Sequence, residues 1–305
     1  MIDVRPFSRS DRDQLAHLAN AHIGAIVPGW AVPTATLLSR LERDPGEHVV
    51  DPWVVGRSTV VAVERDRLVA AAHLKRYAGD DRVSDSYRDA GEIDWLVFWP
   101  SSMDAGRALI EAAVQQLDAW SVRVQYADGS LPTTATYGVP DAWPHVRRLY
   151  EEAGFDPSGG QVELQLAGAL DGVGDAGEPP IPGMVLQRAV GPLATSFNGV
   201  LDDEVIGVFE VDDNHSAGGS NIRLGGWADE CNHWVREDLR GRGVGSWLFR
   251  HGATWLRLGG TERLIAYLID DDTLDAGLRY YARHGLRPIN RTVRGWQRAG
   301  RSAGG

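Results

Sequence analysis

The sequence predicts a mixed α/β fold in which two domains of related topology each pack helices on a sheet. Three observations lead to this prediction. The chain has 305 residues, about twice the commonest domain size. A stretch rich in glycine and proline, without lysine, arginine or aromatic residues, lies at 167–183. The segments on either side of that stretch repeat each other's pattern, which indicates an internal duplication.

The composition excludes several classes of protein. The chain is 43% hydrophobic and 24% charged, as in folded globular proteins. Its net charge of -11 repels phosphate backbones and anionic membranes, so neither nucleic acid nor membrane is an expected partner. The single cysteine, Cys231, excludes an internal disulfide and a zinc site built from thiolates, and no metal is predicted. A charged start and the lack of an apolar run of ~20 residues predict a cytoplasmic location.

The glycine- and proline-rich stretch sets the predicted domain boundaries. We expect an N-terminal domain at 1–166, a linker at 167–183 that buries little, a C-terminal domain at 184–298 and a flexible tail at 299–305. Only the first domain carries two amphipathic helical patterns, at 8–27 and 32–44, ahead of its first hairpin. The second domain is therefore predicted to be an abridged copy.

The duplication keeps a constant register over much of each half. The hairpin turn at Asp66 corresponds to that at Asp203, an offset of 137 residues, and Gly106 corresponds to Gly243 at the same offset. Each half also closes with a helix that has a tyrosine four residues before a glycine, at Tyr150 and Tyr281. The coarse order of elements is strand, two helices, hairpin, strand, helix, strand, helix, strand in the first half.

A glycine- and arginine-containing loop is the most specific motif. It follows a predicted strand that ends at Val235 and leads directly into an amphipathic helix. Glycines let successive backbone N–H groups converge on a phosphate at the positive end of the new helix. The lack of a lysine argues against a Walker loop, and the order of elements argues against a Rossmann fingerprint. Close packing of helix and strand is the alternative that stays open for the loop residues Arg240, Gly241, Arg242, Gly243, Val244, Gly245 and Ser246.

With Arg240, Gly243 and Gly245 in the pattern Arg/Gln-x-x-Gly-x-Gly/Ala, the chain resembles the GNAT superfamily of acetyl-CoA-dependent N-acetyltransferases. The resemblance extends over both halves and implies two GNAT-like acyl-CoA N-acyltransferase domains in tandem. It also implies acetyl-CoA as co-substrate, with its diphosphate on this loop and its pantetheine arm beside Trp234 and Val235.

The first half departs from the motif. Met103 stands where the arginine belongs, and Asp104 would face a diphosphate. We therefore expect the first domain to bind CoA weakly or not at all and to serve as a scaffold. It keeps acid and base residue types, Glu92 and Asp94, at the corresponding strand positions, and a relic is favoured over an active second site.

Amine acetylation needs a base for the ammonium proton and an acid for the leaving thiolate. Strand alternation places Asp229 and His233 on one face of the strand before the loop, and both are candidate bases. Glu230 is a reserve candidate, because a register shift of one residue exchanges the faces. Tyr281 is the candidate acid. Structural roles for these residues stay open as alternatives.

The sequence thus predicts an N-acetyltransferase in which a primary amine of a small molecule or peptide attacks bound acetyl-CoA directly. The alternative is a non-catalytic CoA-binding or sensor protein with the same fold. The acceptor is not identified, and a homodimer stays open.

Overall fold

The computed structural model describes residues 1–42, 51–132, 136–157, 159–191, 194–212 and 226–300. The elements of the first part of the chain are β1 (Ile2–Pro6), α1 (Arg12–Ile26), α2 (Thr34–Glu42), β2 (Val54–Glu64), β3 (Arg67–Tyr77), β4 (Ala90–Phe98), α3 (Met103–Ala119), β5 (Val124–Ala127), β6 (Val139–Pro140), α4 (Pro144–Glu152) and β7 (Val162–Ala169). Those of the second part are β8 (Val185–Val190), β9 (Thr195–Leu201), β10 (Glu204–Asp212), β11 (Trp227–Val235), α5 (Val244–Leu258), β12 (Arg263–Ile269), α6 (Leu274–Arg283), β13 (Arg287–Val293) and β14 (Trp296–Ala299).

The chain divides into two compact units. Unit 1 contains the described residues within Met1–Glu163 and Asn290–Gly305, and unit 2 those within Leu164–Ser216 and Asn221–Ile289. The sheet of unit 1 is mixed. Its strand order is β1-β2-β3-β4-β5-β14, and β4 and β5 are parallel. In unit 2 the neighbouring strands are β13-β7-β12-β11-β10-β9-β8, and β11 and β12 are the parallel pair.

The closing strands are exchanged between the units. The last strand of the chain, β14, pairs with β5 of unit 1, whereas β7 lies next to β12 in unit 2. The observed units therefore differ from the predicted ranges, because residues 167–169 belong to β7 and residues 290–299 belong to unit 1. The first residue of the predicted tail, Ala299, is the last residue of β14. The next residue is also held, because Gly300 N–H donates to Arg123 O (3.2 Å). Residues 301–305 lie outside the described part of the chain.

The segment predicted as a linker that buries little packs on unit 2 instead. Leu170 is fully buried and Val173 is nearly so, and both belong to the core of unit 2. The Arg257 side chain donates to the carbonyl oxygens of both residues, at 3.1 and 2.6 Å. Trp247 Nε1 donates to Gly177 O at 3.1 Å. The prediction from composition was wrong because two apolar residues, Leu170 and Val173, are enough to anchor the segment on unit 2.

The duplication is visible in matching backbone. Strands β4 and β11 start and end at positions that differ by 137, and β3 and β10 start at the same offset. Both hairpin turns contain two consecutive residues with positive φ, Arg65 and Asp66 in unit 1, and Asp202 and Asp203 in unit 2. This is the geometry of a type I′ turn. Helices α1 and α2 follow β1, whereas only residues 191–194 separate β8 from β9, so unit 2 is abridged as predicted.

Candidate functional site

The predicted loop lies between β11 and α5 in unit 2. Gly241 and Gly243 have φ of 75° and 89°, values that favour glycine. Gly243 is the N-cap of α5, and the first hydrogen bond of that helix runs from Trp247 N–H to Gly243 O (2.9 Å). The N–H groups of the preceding residues, 244–246, therefore have no partner within the helix. They point from the positive end of a 15-residue helix.

Two arginines complete the positive character of this loop. The Arg240 and Arg242 side chains are exposed, and neither forms an ion pair with another described residue. Arg240 Nε donates to Val235 O at 3.2 Å, which holds the start of this side chain against the end of β11. Arg236, by contrast, is paired with Glu204 and Asp238. Charge and unpaired N–H groups thus converge where a phosphate group would be stabilised.

Beside the loop, the sheet opens. The parallel pairing of β11 with β12 covers only Trp227 to Asp229, although β12 continues to Ile269. Beyond Asp229, the β12-facing backbone edge of β11 has no strand partner among the described strands. Residues 231–235 are half-buried or exposed, and Trp234 is 45% exposed. An open edge of this kind can bind an extended chain of amide groups by adding it as a strand.

Unit 1 lacks both features. In its sheet the chain continues along β4 beyond β5, because Asp128 N–H donates to Ile93 O (2.9 Å) and Ser130 N–H donates to Asp94 O (3.0 Å). All nine residues of β4 are buried. Helix α3 already begins at Met103, so the residues that correspond to the loop form its first turn, and Gly106 N–H donates to Ser102 O (3.1 Å). The backbone of Ile93 and Asp94, which correspond to Glu230 and Cys231, is therefore already paired, and the loop positions belong to a helix.

A β-bulge changes the predicted faces of β11. Glu210 lies opposite Asn232 and Val211 lies opposite Glu230, so Cys231 is the additional residue. Because the bulge shifts the alternation, His233 lies on the face of Glu230, and their Nδ1 and Oε1 atoms are 3.7 Å apart. The prediction that Asp229 and His233 share a face is therefore wrong, and the reserve residue Glu230 takes that place.

Asp229 lies on the other face of the strand. Its side chain is 9% exposed and lies directly opposite Asp212 of β10. Burial raises the pKa of Asp229 well above its usual range, the carboxylates of Asp212 and Glu230 add to this, and a hydrogen bond from Tyr267 acts against it. A carboxyl group of this kind is a strong base once it has lost its proton.

Glu230 contacts the predicted acid. The Tyr281 hydroxyl of α6 donates to Glu230 Oε1, and both side chains are buried, with 5% and 8% exposure. Burial raises the pKa of Glu230 to about 8. Burial and the neighbouring Glu230 raise the pKa of the Tyr281 phenol well above its ordinary value. Tyr281 and Glu230 thus form a buried pair on the side of α5 and α6.

His233 is surrounded by aromatic rings. Burial and the nearby His284 lower the pKa of His233 to about 4, so its ring is neutral at neutral pH. The Tyr280 hydroxyl of α6 lies 3.4 Å from His233 Nε2. A Cβ atom on Gly245 would lie 3.2 Å from the same nitrogen, so this loop glycine also makes room for the ring. The structure thus places His233 with Tyr280, away from Asp229.

His284 and Phe249 also belong to this cluster, and no signal in the sequence pattern identified them. His284 Nε2 lies 3.1 Å from Ser246 Oγ, and the His284 ring stacks on Phe249 at 4.3 Å. Cys231 is half-buried, and burial raises the pKa of its thiol, which argues against a role as nucleophile.

Among the described residues no group of three or more His, Cys, Asp and Glu side chains is arranged to hold a metal ion. In the same part of the chain, no helix is both long and apolar enough to cross a membrane.

The chain is similar to a known protein family and to several solved structures. Residues 178–286 match the model of the acetyltransferase (GNAT) family. A tandem GNAT protein from the clavulanic acid biosynthesis pathway is similar over 98% of each chain, with 16% identity and a TM-score of 0.68. A GCN5-related N-acetyltransferase from Sphaerobacter thermophilus is similar over 98% of this chain and 95% of its own, with 15% identity and a TM-score of 0.65.

A third similar structure is the glucosamine N-acetyltransferase region of a fungal multi-domain GH3 β-N-acetylglucosaminidase. It covers 97% of this chain with 15% identity and a TM-score of 0.64, and this chain spans 38% of that protein. No curated protein matches the chain.

The sheet of unit 2 opens beyond the parallel pairing of β11 with β12, and a glycine-rich loop and helix α5 follow. These elements lie within the segment that the GNAT family model matches. The family match covers this segment and indicates acyl transfer as the activity of that domain. The similar solved structures have the same fold over nearly the whole chain, which confirms the predicted fold class of two GNAT-like domains in tandem.

Proposed function

We propose that the protein transfers an acetyl group from acetyl-CoA to a primary amine of a small molecule or peptide, and that unit 2 performs the reaction. The observation that carries this proposal is the loop of Arg240–Gly245 at the start of α5, beside the open edge of β11. The diphosphate of CoA fits the N–H groups and arginines of the loop, and the pantetheine amides fit the free backbone near Trp234 and Val235.

The chemistry assigns different tasks to the two faces of β11. In its ionised form, Asp229 takes a proton from the acceptor ammonium group. The amine then attacks the thioester carbonyl carbon, the C–S bond breaks, and the nitrogen gives its second proton to solvent water. Tyr281 on the opposite face protonates the leaving thiolate. A cationic acceptor suits Asp229, because Asp212 lies directly opposite and like charges in that arrangement favour a cation between them. His233 is not assigned as the base, since its pKa is lowered to about 4, which makes the ring a weak base, and since it lies on the other face.

Unit 1 is proposed as a scaffold that does not bind CoA. Its carboxyl groups are engaged internally, since Lys75 Nζ donates to Asp94 (2.9 Å) and Tyr77 donates to Glu92. The hydroxyl of Tyr150, which corresponds to Tyr281, donates to the backbone oxygen of Asp128 (3.0 Å).

Calorimetric titration with CoA tests the binding site. We expect one site per chain, and Arg240→Ala should weaken binding about tenfold or more, because a charge-assisted hydrogen bond contributes about 1.5–3 kcal/mol. Arg188→Ala, an exposed arginine on edge strand β8, is the matched control and should bind as the wild type does. Equal affinity in Arg240→Ala would remove this loop from the site.

Release of CoA thiol from acetyl-CoA, followed with a thiol-reactive dye in the presence of polyamines, aminoglycosides, amino acids and peptides, tests the reaction. Acetylation of an amine supports the transferase. CoA binding without transfer to any member of the panel would instead favour the second candidate, a CoA-binding sensor.

A further inference from the structure

Glu230 is a buried carboxyl group on a face of β11 that is otherwise built for the core. Its strand neighbour on that face, Ala228, is fully buried in the hydrophobic core of unit 2. Glu230 Oε1 accepts the hydrogen bond from Tyr281, whereas Oε2 is buried and has no hydrogen-bond partner among the described residues. Buried polar atoms are nearly always paired, so an unpaired carboxyl oxygen beside the proposed acid requires an explanation.

Among the described residues, no cation forms an ion pair with this carboxyl group at neutral pH. The groups that face it are Tyr281 and Tyr280 from α6 and His233 on β11. Asp229 precedes it on the opposite face, and Arg250 of α5 acts on Tyr280 and His284. His233 is neutral and its Nδ1 lies 3.7 Å from Glu230 Oε1, and His284 behind it has a pKa lowered to about 4. Because burial raises the pKa of Glu230 to about 8, its carboxyl group holds a proton at neutral pH.

The Tyr281 phenol by itself is a poor acid in this place. Burial and the nearby carboxyl group raise its pKa well above the ordinary value, so a phenolate here would be strongly disfavoured. A protonated carboxyl group within hydrogen-bonding distance removes this difficulty. The hydrogen bond between the two residues can reverse, since each carries a proton at neutral pH.

We propose that Glu230 and Tyr281 act as one proton donor: the leaving thiolate takes the phenolic proton of Tyr281 while the phenolic oxygen takes the carboxyl proton of Glu230. This inference rests on the acetyl transfer proposed above. The C–S bond breaks and an S–H bond forms, Tyr281 ends neutral, and Glu230 ends as a carboxylate. Asp229 meanwhile holds the proton from the amine. The nitrogen gives its second proton to solvent water as the amide forms. When the products leave, Glu230 regains a proton from water and Asp229 releases one, so each turnover of an ammonium acceptor releases one proton to solvent.

The two proton transfers of the reaction involve neighbouring residues of one strand, Asp229 as the base and Glu230 as part of the proton donor. Successive side chains of a strand point to opposite faces, so Asp229 faces the acceptor side while Glu230 faces α6. Glu230 is therefore a positioning and proton-storing residue that acts through Tyr281 and need not touch either substrate.

Glu230→Gln tests the proposal, because the amide oxygen still accepts a hydrogen bond from Tyr281 but the group cannot supply an acidic proton. We expect kcat to fall about 10²-fold, a typical contribution of general acid catalysis, while the Kd for CoA changes less than about twofold. In the wild type kcat should decline as the pH rises through about 8, and the variant should lack this decline. Glu204→Gln, on the exposed start of β10, is the matched control and should behave as the wild type.

A double-mutant cycle separates a shared role from two independent ones. Tyr281→Phe should lower kcat to a similar extent, and the double variant should be no slower than either single variant, because residues that act as a unit are not additive. The inference is overturned if Glu230→Gln retains activity within about threefold, if the two losses multiply, or if CoA binding is lost along with activity. In each of these cases the wild type still acetylates amines and the proposed function stands. If the wild type binds CoA but acetylates no amine, the proposed function fails and the proton role fails with it.

Discussion

The protonation of Glu230 predicts an unusual pH dependence of stability that can be measured without any substrate. The folded protein holds the proton of this carboxyl group up to a pKa of about 8, whereas the ordinary value is 4.5. The unfolded chain releases the proton at the lower pKa. The contribution to stability is therefore fully present below pH 4.5 and is lost progressively as the pH rises from there through about 8, the reverse of the usual case for a carboxylate.

The size of the effect follows from the two pKa values. One pKa unit corresponds to about 1.4 kcal/mol, so the interval from 4.5 to about 8 corresponds to about 5 kcal/mol once Glu230 is ionised in both states. At pH 7 about 3 kcal/mol of this has already been lost. Glutamine is neutral throughout and keeps the hydrogen bond from Tyr281, so Glu230→Gln should gain stability relative to the wild type by these amounts as the pH rises.

Urea denaturation of both proteins at pH 4.5, 7 and 9, followed by circular dichroism and tryptophan fluorescence, measures the difference in unfolding free energy. The other titrating groups are common to both proteins and cancel in the difference. The exposed substitution Glu204→Gln should give a difference that hardly changes with pH. A Glu230→Gln difference that is independent of pH, or one that falls as the pH rises, would show that Glu230 is ionised in the folded protein and would refute the reasoning.

Three further results are expected. Gly243→Ala should weaken CoA binding in calorimetry about fivefold or more, because φ at this position is 89° and a side chain there costs about 1–2 kcal/mol, whereas Gly24→Ala, where an added Cβ meets nothing within 4 Å, should have no effect. Met103→Arg should leave the stoichiometry at one CoA per chain, since residue 103 begins a helix rather than a loop. His145, whose pKa burial lowers to about 4, should cost the protein stability as the pH falls from about 6.5 towards 4, and His145→Gln should reduce this loss in acid denaturation.

The repeated parts of the fold were predictable because their signals are local. Hairpin turns and glycine-containing loops depend on a few adjacent residues, and their spacing gave the offset that relates β4 to β11. The exchange of β7 and β14 was not predictable in this way. Which sheet a closing strand joins depends on pairing with β12 or β5, distant in sequence, and both choices keep the same alternation of residues.

The candidate site shows the same division between local and non-local information. The residue types of the loop predict its backbone, since glycines with positive φ and the start of α5 are found where the motif placed them. The face of each residue on β11 depends on the bulge at Cys231, which is defined only by pairing with β10. Unit 1 has a shift at the corresponding place, Asp94 on β4. The bulge therefore belongs to the duplicated fold and not to the residue that occupies it.

The two units differ at the residues that the proposed chemistry needs most. Glu92 corresponds to Asp229, but Ile93 stands where unit 2 has Glu230, so unit 1 keeps the carboxyl group of one face and an apolar core residue on the other. Its parallel strand edge is also closed by its own backbone at Ser130. An open strand edge and a buried acid both destabilise a fold, since each leaves polar groups unpaired. In unit 2 the open edge and the unpaired carboxyl oxygen of Glu230 occur together, as expected of the thioester site proposed above.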